Sequence, residues 1–130
     1  MRIGLAALAV GAGLAVAGGG SSASELRIAS YCSPSGDVCY GIFRSPTEVY
    51  RFELTTAAHY FSRYQVCVKP SIASATCKSF PVRKRGANYG GVVIWNRNYP
   101  NKGPVRYKVT WKQNGRRLGP SLSFRVLPIP

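Results

Sequence analysis

From residue 26 onward, short runs rich in β-branched and aromatic residues recur, separated by clusters of Gly, Pro, Asn and Ser. No stretch carries the periodicity of an amphipathic helix, and no heptad or internal repeat is present. The pattern predicts strands over residues 26–31, 38–44, 49–55, 64–69, 76–82, 91–96, 105–113 and 117–127. Several alternate with period two. In 49–55, Tyr50, Phe52 and Leu54 share one face and Arg51 and Glu53 the other. In 105–113, Val105, Tyr107, Val109 and Trp111 alternate with Arg106, Lys108, Thr110 and Lys112. Leu118, Leu122, Phe124 and Val126 mark the inner face of the last strand. Asn114-Gly115 joins these two strands, and such a pair supplies the two positive-φ positions of a tight hairpin turn. Gly119-Pro120 then predicts a bulge or an edge position. The whole reads as a small antiparallel β-sandwich.

The cysteines fit this frame. Cys32, Cys39, Cys67 and Cys77 are even in number and allow three pairings, of which the spacing favours two local ones, Cys32–Cys39 and Cys67–Cys77. Loops of this length contribute about 2–3 kcal/mol each on the chain-entropy view. Because Tyr64, Val66 and Val68 take the inner face, Cys67 falls with Gln65 and Lys69 on the outer one. A cystine there staples a hairpin within one sheet. A zinc site is disfavoured, since the spacings are wrong and His59 is the chain's one histidine.

Residues 1–23 differ in kind. Met1-Arg2 precedes an apolar run from Ile3 to Val16, then the small residues Ala17 to Ala23. This is the pattern of a removable secretory signal, with cleavage after Ala17 or Ala23, leaving residues 24–130 as a single domain. No later segment approaches the roughly 18 apolar residues that a membrane span requires. A secreted, extracellular, periplasmic or wall-associated monomer is expected, in a compartment where disulfides persist.

Charge then narrows the partners. The acids are Glu25, Asp37, Glu48 and Glu53, and the formal net charge of +14 falls by one, to +13, when Arg2 leaves with the signal. Such a field attracts acidic glycans, teichoic acids, nucleic acids or anionic headgroups.

The segment Gly103-Pro104-Val105-Arg106-Tyr107-Lys108-Val109-Thr110-Trp111, with Asn114-Gly115 and Ser121-Leu122-Ser123-Phe124-Arg125-Val126, resembles the closing hairpin of bacterial immunoglobulin-like or fibronectin-III-like domains. The likeness implies an immunoglobulin-like sandwich and says little of function. A similar hairpin closes the periplasmic copper-carrier sandwiches, but those carriers bind through several histidines, so their metal function does not carry over to a chain with His59 alone. No cofactor is expected.

Catalytic constellations are weak. In size, export and charge the chain is similar to small microbial ribonucleases, which use a glutamate base, a histidine acid and arginines. Glu53, His59, Arg51 and Arg63 are the candidates. In that family the histidine lies near the C-terminus, whereas His59 closely follows Glu53, in a segment that reads as a partly buried loop. Four scattered acids make a glycosidase pair improbable, and neither a G-x-S-x-G turn nor a phosphate-binding glycine loop is present. A non-enzyme is expected.

If the strands follow one another as antiparallel neighbours, the connections 56–63, 83–90 and 114–117 share one end of the sandwich. That end gathers the candidate ligand contacts Arg63, Arg83, Lys84, Arg85, Tyr89, Arg116 and Arg117, with His59 and Tyr60 among them. The other end receives Lys69, Arg97 and Lys102. Cations interleaved with aromatics suit phosphate or acidic-sugar contacts. The expected function is a non-catalytic module for anionic polymers of an envelope or matrix. The alternatives are a hydrolase inhibitor acting on a protein surface through the loop Pro70-Ser71-Ile72-Ala73-Ser74, and a small basic nuclease or lytic enzyme.

Overall fold

The computed structural model describes residues 25–128; the expected export signal over residues 1–23 lies outside them. The strands are β1 (Leu26–Cys32), β2 (Val38–Arg44), β3 (Tyr50–Thr56), β4 (Arg63–Pro70), β5 (Thr76–Pro81), β6 (Arg83–Arg85), β7 (Asn88–Ile94), β8 (Arg106–Gln113), β9 (Arg116–Arg117) and β10 (Leu122–Arg125). One short helix, α1 (Trp95–Asn98), follows β7. Two antiparallel sheets form, one ordered β1-β2-β3-β7-β6 and the other β5-β4-β8, with β9 and β10 both paired to the free side of β8. The chain crosses between sheets after β3, β5 and β7.

Alternation places the core between the sheets. Tyr50, Phe52 and Leu54 of β3 meet Tyr64, Val66 and Val68 of β4 and Tyr107, Val109 and Trp111 of β8, all buried. Burial of each such side chain contributes about 1.5–3 kcal/mol. Aromatic contacts knit the two layers: Tyr40 stacks on Trp111 at 4.3 Å between centroids, and Tyr50 lies 4.8 Å from Phe124. The Tyr107 hydroxyl also turns back on its own chain. It donates to the Gly103 carbonyl at 2.8 Å and accepts from the Lys102 amide at 2.9 Å, fixing the corner where the chain enters β8.

Both disulfides pair local cysteines, Cys32–Cys39 and Cys67–Cys77. In each the cysteines stand directly opposite on neighbouring strands, so the bridges are staples within a sheet. Asn114 (φ 51°) and Gly115 (φ 75°) form the turn from β8 to β9, as their sequence requires.

Three expectations are corrected. The strand expected over 91–96 begins earlier, at Asn88, and ends at Ile94; Trp95 and Asn96 lie in α1. The polar run Asn96-Arg97-Asn98 favours a turn over a strand, and Asn98 Nδ2 closes that turn by donating to the Ile94 carbonyl at 2.8 Å. The connection expected over 83–90 is a hairpin, because Arg83, Lys84 and Arg85 pair with Gly90, Tyr89 and Asn88. The final strand is split into β9 and β10 around Gly119-Pro120. The Tyr40 hydroxyl donates to the Pro120 carbonyl at 2.6 Å, and a Cβ on Gly119 would lie 2.5 Å from that same hydroxyl. The inter-sheet contact thus requires the break.

Candidate anionic-ligand surface

Register places the basic loops. Thr56 at the end of β3 pairs with Tyr89, Arg63 at the start of β4 pairs with Pro81, and Gln65 pairs with Lys112 near the end of β8. The segment 57–62, the β6–β7 hairpin and the Asn114-Gly115 turn therefore lie at one end of the sandwich. The candidate residues are spread across its width in three groups.

The first is the β6–β7 hairpin. Its turn uses Gly86 at φ 64°, and Arg83, Lys84 and Arg85 are all exposed. The Lys84 ammonium stands 5.2 Å from the Tyr89 ring centroid, and the other partner of Tyr89 is His59, stacked at 5.1 Å and 6° from parallel. His59 is exposed, which corrects the expectation of a partly buried loop histidine. Beside the hairpin, at the mouth between the sheets, lies a groove of about 340 Å³ lined by Tyr64, Phe80, Arg83, Lys84, Arg85 and Val92, among others. The absence of a side chain at Gly91 lets the Tyr64 ring approach β7. Burial pushes the Tyr64 hydroxyl up to about 12, opposed by the nearby Arg85 charge.

Arg63 forms the second group, on the outer face of the other sheet. Its guanidinium is tied to β5, donating from Nε to Ser79 Oγ at 3.1 Å and from Nη2 to the Ser79 carbonyl at 3.2 Å. The third is β9, at the far side of β8 from β4. Arg116 and Arg117 are exposed there. Burial and the neighbouring Tyr31 push the Tyr40 hydroxyl up to about 12, opposed by the charge of Arg117. Two strand spacings, about 10 Å, separate Arg63 on β4 from Arg117 on β9. The candidates share an end without converging on one point.

Arg51 and Glu53 pair with each other, but neither His59 nor Arg63 joins them. Glu53 accepts from Arg51 Nε at 2.8 Å on the outer face of β3, His59 stacks on Tyr89, and Arg63 belongs to the opposite sheet. Both ion pairs among the described residues belong to Arg51, with Glu25 and Glu53.

At the other end, the loop between β4 and β5 projects Ile72, 68 % exposed, from within the Cys67–Cys77 ring. The loop is fastened by Ala73 N to the Pro70 carbonyl (3.2 Å), Ser71 N to the Arg106 carbonyl (2.9 Å) and Lys69 Nζ to the Ala73 carbonyl (3.1 Å).

Sequence reasoning gathers the loop cations and passes over those on strands. Alternation assigns Arg106, Lys108 and Lys112 to the solvent side of β8, but which strands flank β8 is a tertiary fact. No protein-family model, curated protein or solved structure matches the chain.

Proposed function

We propose that this is an exported, non-catalytic, immunoglobulin-like binding module whose ligands are anionic polymers of a cell envelope or extracellular matrix. The immunoglobulin-like assignment draws support from the strand orders β2-β3-β7-β6 and β4-β8-β10, which correspond to the two sheets of that fold. The Tyr107 hydroxyl bonds, at the start of the strand entering the closing hairpin, correspond to its tyrosine corner. The local staples replace the bridge that crosses the core in antibody domains.

One observation carries the binding reading. Arg83, Lys84, Arg85, Arg116 and Arg117 are exposed without an ionic partner among the described residues, and one of them lies over a Tyr89–His59 stack. Unpaired cations beside aromatic faces bind phosphates, sulfates and sugar rings. Reversing all five to Glu should abolish retention on a dextran sulfate column, while Arg97→Glu with Lys102→Glu should cost far less. Similar losses per charge from both sets would leave only non-specific attraction.

A second reading rests on Ile72. A protruding apolar side chain on a fastened loop suits a protein pocket, because little conformational freedom is lost on docking. An inhibitor's complex would survive about 0.5 M salt, where phosphate-type contacts weaken steeply, and would be lost in Ile72→Asp.

A further inference from the structure

The apolar side chains of β8 enter the core, so Arg106, Lys108, Thr110 and Lys112 form a row on the outside of their sheet. Lys108 stands directly opposite Lys69 of β4, with Ser123 of β10 on its other side. Arg106 faces Arg125, and Lys112 faces Arg117. Like charges directly opposed on one face destabilise a sheet. Lys69 and Arg125 are drawn aside to the Ala73 and Pro104 carbonyls, but Arg106, Lys108 and Lys112 make no side-chain hydrogen bond or ion pair among the described residues.

No acid relieves this face. Glu25 precedes β1, Asp37 and Glu48 lie in the turns flanking β2, and Glu53 is on β3, all belonging to the other sheet. The neutral outer positions are the polar Gln65, Thr110, Ser121 and Ser123 and, opposite Thr110, Cys67 of the Cys67–Cys77 staple; the Thr110 and Ser121 hydroxyls are 2.6 Å apart. No aromatic side chain belongs to the outer rows of β4, β8 or β10, in contrast to the hairpin end with Tyr89, His59 and Tyr60. A hollow of about 230 Å³ between Lys69, Ser71, Arg106, Lys108 and Ser123 gives an anionic group a seat among them.

We propose that the outer face of β4, β8 and β10 is a second binding surface, a track for a sulfated or phosphorylated polysaccharide chain that continues from Arg117 at the hairpin end. The inference rests on the polyanion reading above and adds a surface and a ligand class. Opposed cations favour a flexible polyanion that offsets their repulsion, and hydroxyl-bearing neighbours suit sugar hydroxyls. Bases bind single strands largely by stacking on aromatics, which this face lacks. The row from Arg106 to Lys112 spans about 20 Å, enough for several sugar units.

The test is the pair Lys108→Glu and Lys112→Glu against Arg97→Glu and Lys102→Glu, which change the net charge equally, each titrated with dextran sulfate and with oligothymidylate. The first pair should weaken dextran sulfate binding about tenfold and the second about twofold or less. The first pair should also raise the melting temperature by a few degrees, since each new carboxylate faces a former like-charge neighbour; a fall would overturn the premise of repulsion. Equal losses from the two pairs, or a loss confined to oligothymidylate, would overturn the track. If five-residue reversal at the hairpin end abolishes retention while the β8 pair binds as before, the track fails and the binding reading stands. If dextran sulfate does not bind the unaltered protein, both fail.

Discussion

At Gly90 the backbone takes φ 149°, and a Cβ there would run into the Leu54 carbonyl of the paired strand. Backbone cannot step aside as a side-chain tip can. Gly90→Ala should therefore cost about 3 kcal/mol or more, measured by urea denaturation. The tyrosines set a pH limit. Burial raises Tyr40 and Tyr64 to about 12 and holds Tyr99 well above the ordinary phenol value, where its hydroxyl donates to the Val66 carbonyl at 2.6 Å. The unfolded chain ionises these phenols near pH 10, so between about 10 and 12 it releases protons that the folded state retains. Their contribution is complete below about pH 10 and is lost as pH climbs toward 12. Melting temperature should be flat with respect to these groups up to pH 10 and fall above it; Tyr64→Phe should soften that fall. A fall of unchanged steepness would show that Tyr64 does not set it.

At the scale of elements, the pattern was legible where one face is buried and the other wet. The alternation of β3, β4 and β8 assigns Phe52, Val66 and Trp111 to the core, and parity turns Cys67 to the opposite face from Val66, where it pairs with the exposed Cys77 although it is itself buried. β6 was illegible for a physical reason: Arg83-Lys84-Arg85 has no apolar residue, and its strand form comes from bonding to β7 across the Gly86 turn. α1 was hidden because Trp95 looks like a continuation of β7, while its burial against Tyr50 and Phe124 is a tertiary contact. The end of the sandwich that gathers the loop cations was legible from the alternation of strand direction, whereas the β8 face was not, since which strands flank β8 depends on the crossings between sheets. The Cys67–Cys77 staple closes a short loop in a hairpin already paired along its length. Replacing both cysteines by Ser should cost about 2–3 kcal/mol in urea denaturation, with far-ultraviolet circular dichroism unchanged. Loss of the strand signal would mean that the bridge specifies the hairpin as well as stabilising it.

For the whole molecule, charge is divided unequally between two similar sheets. The face of β3 carries both ion pairs, and Arg51 also lies 5.6 Å from the Phe43 ring centroid, so its charge is locally answered. The face of β8 carries opposed cations and no acid. Self-repulsion on that face and at the hairpin end opposes folding in dilute buffer, and both added salt and a bound polyanion reduce it. The two remedies compete. Salt screens the cations of the free protein, so its melting temperature should rise between about 0.02 and 0.5 M salt. A saturating sulfated chain should raise it further at low salt, by about 10 °C at a hundredfold excess over Kd. That added increment should shrink as salt increases, because the contacts are ionic. The curves with and without ligand would then converge at high salt. Parallel curves would mean that the ligand is held mainly by apolar contacts, and would turn attention to Ile72 at the opposite end of the molecule.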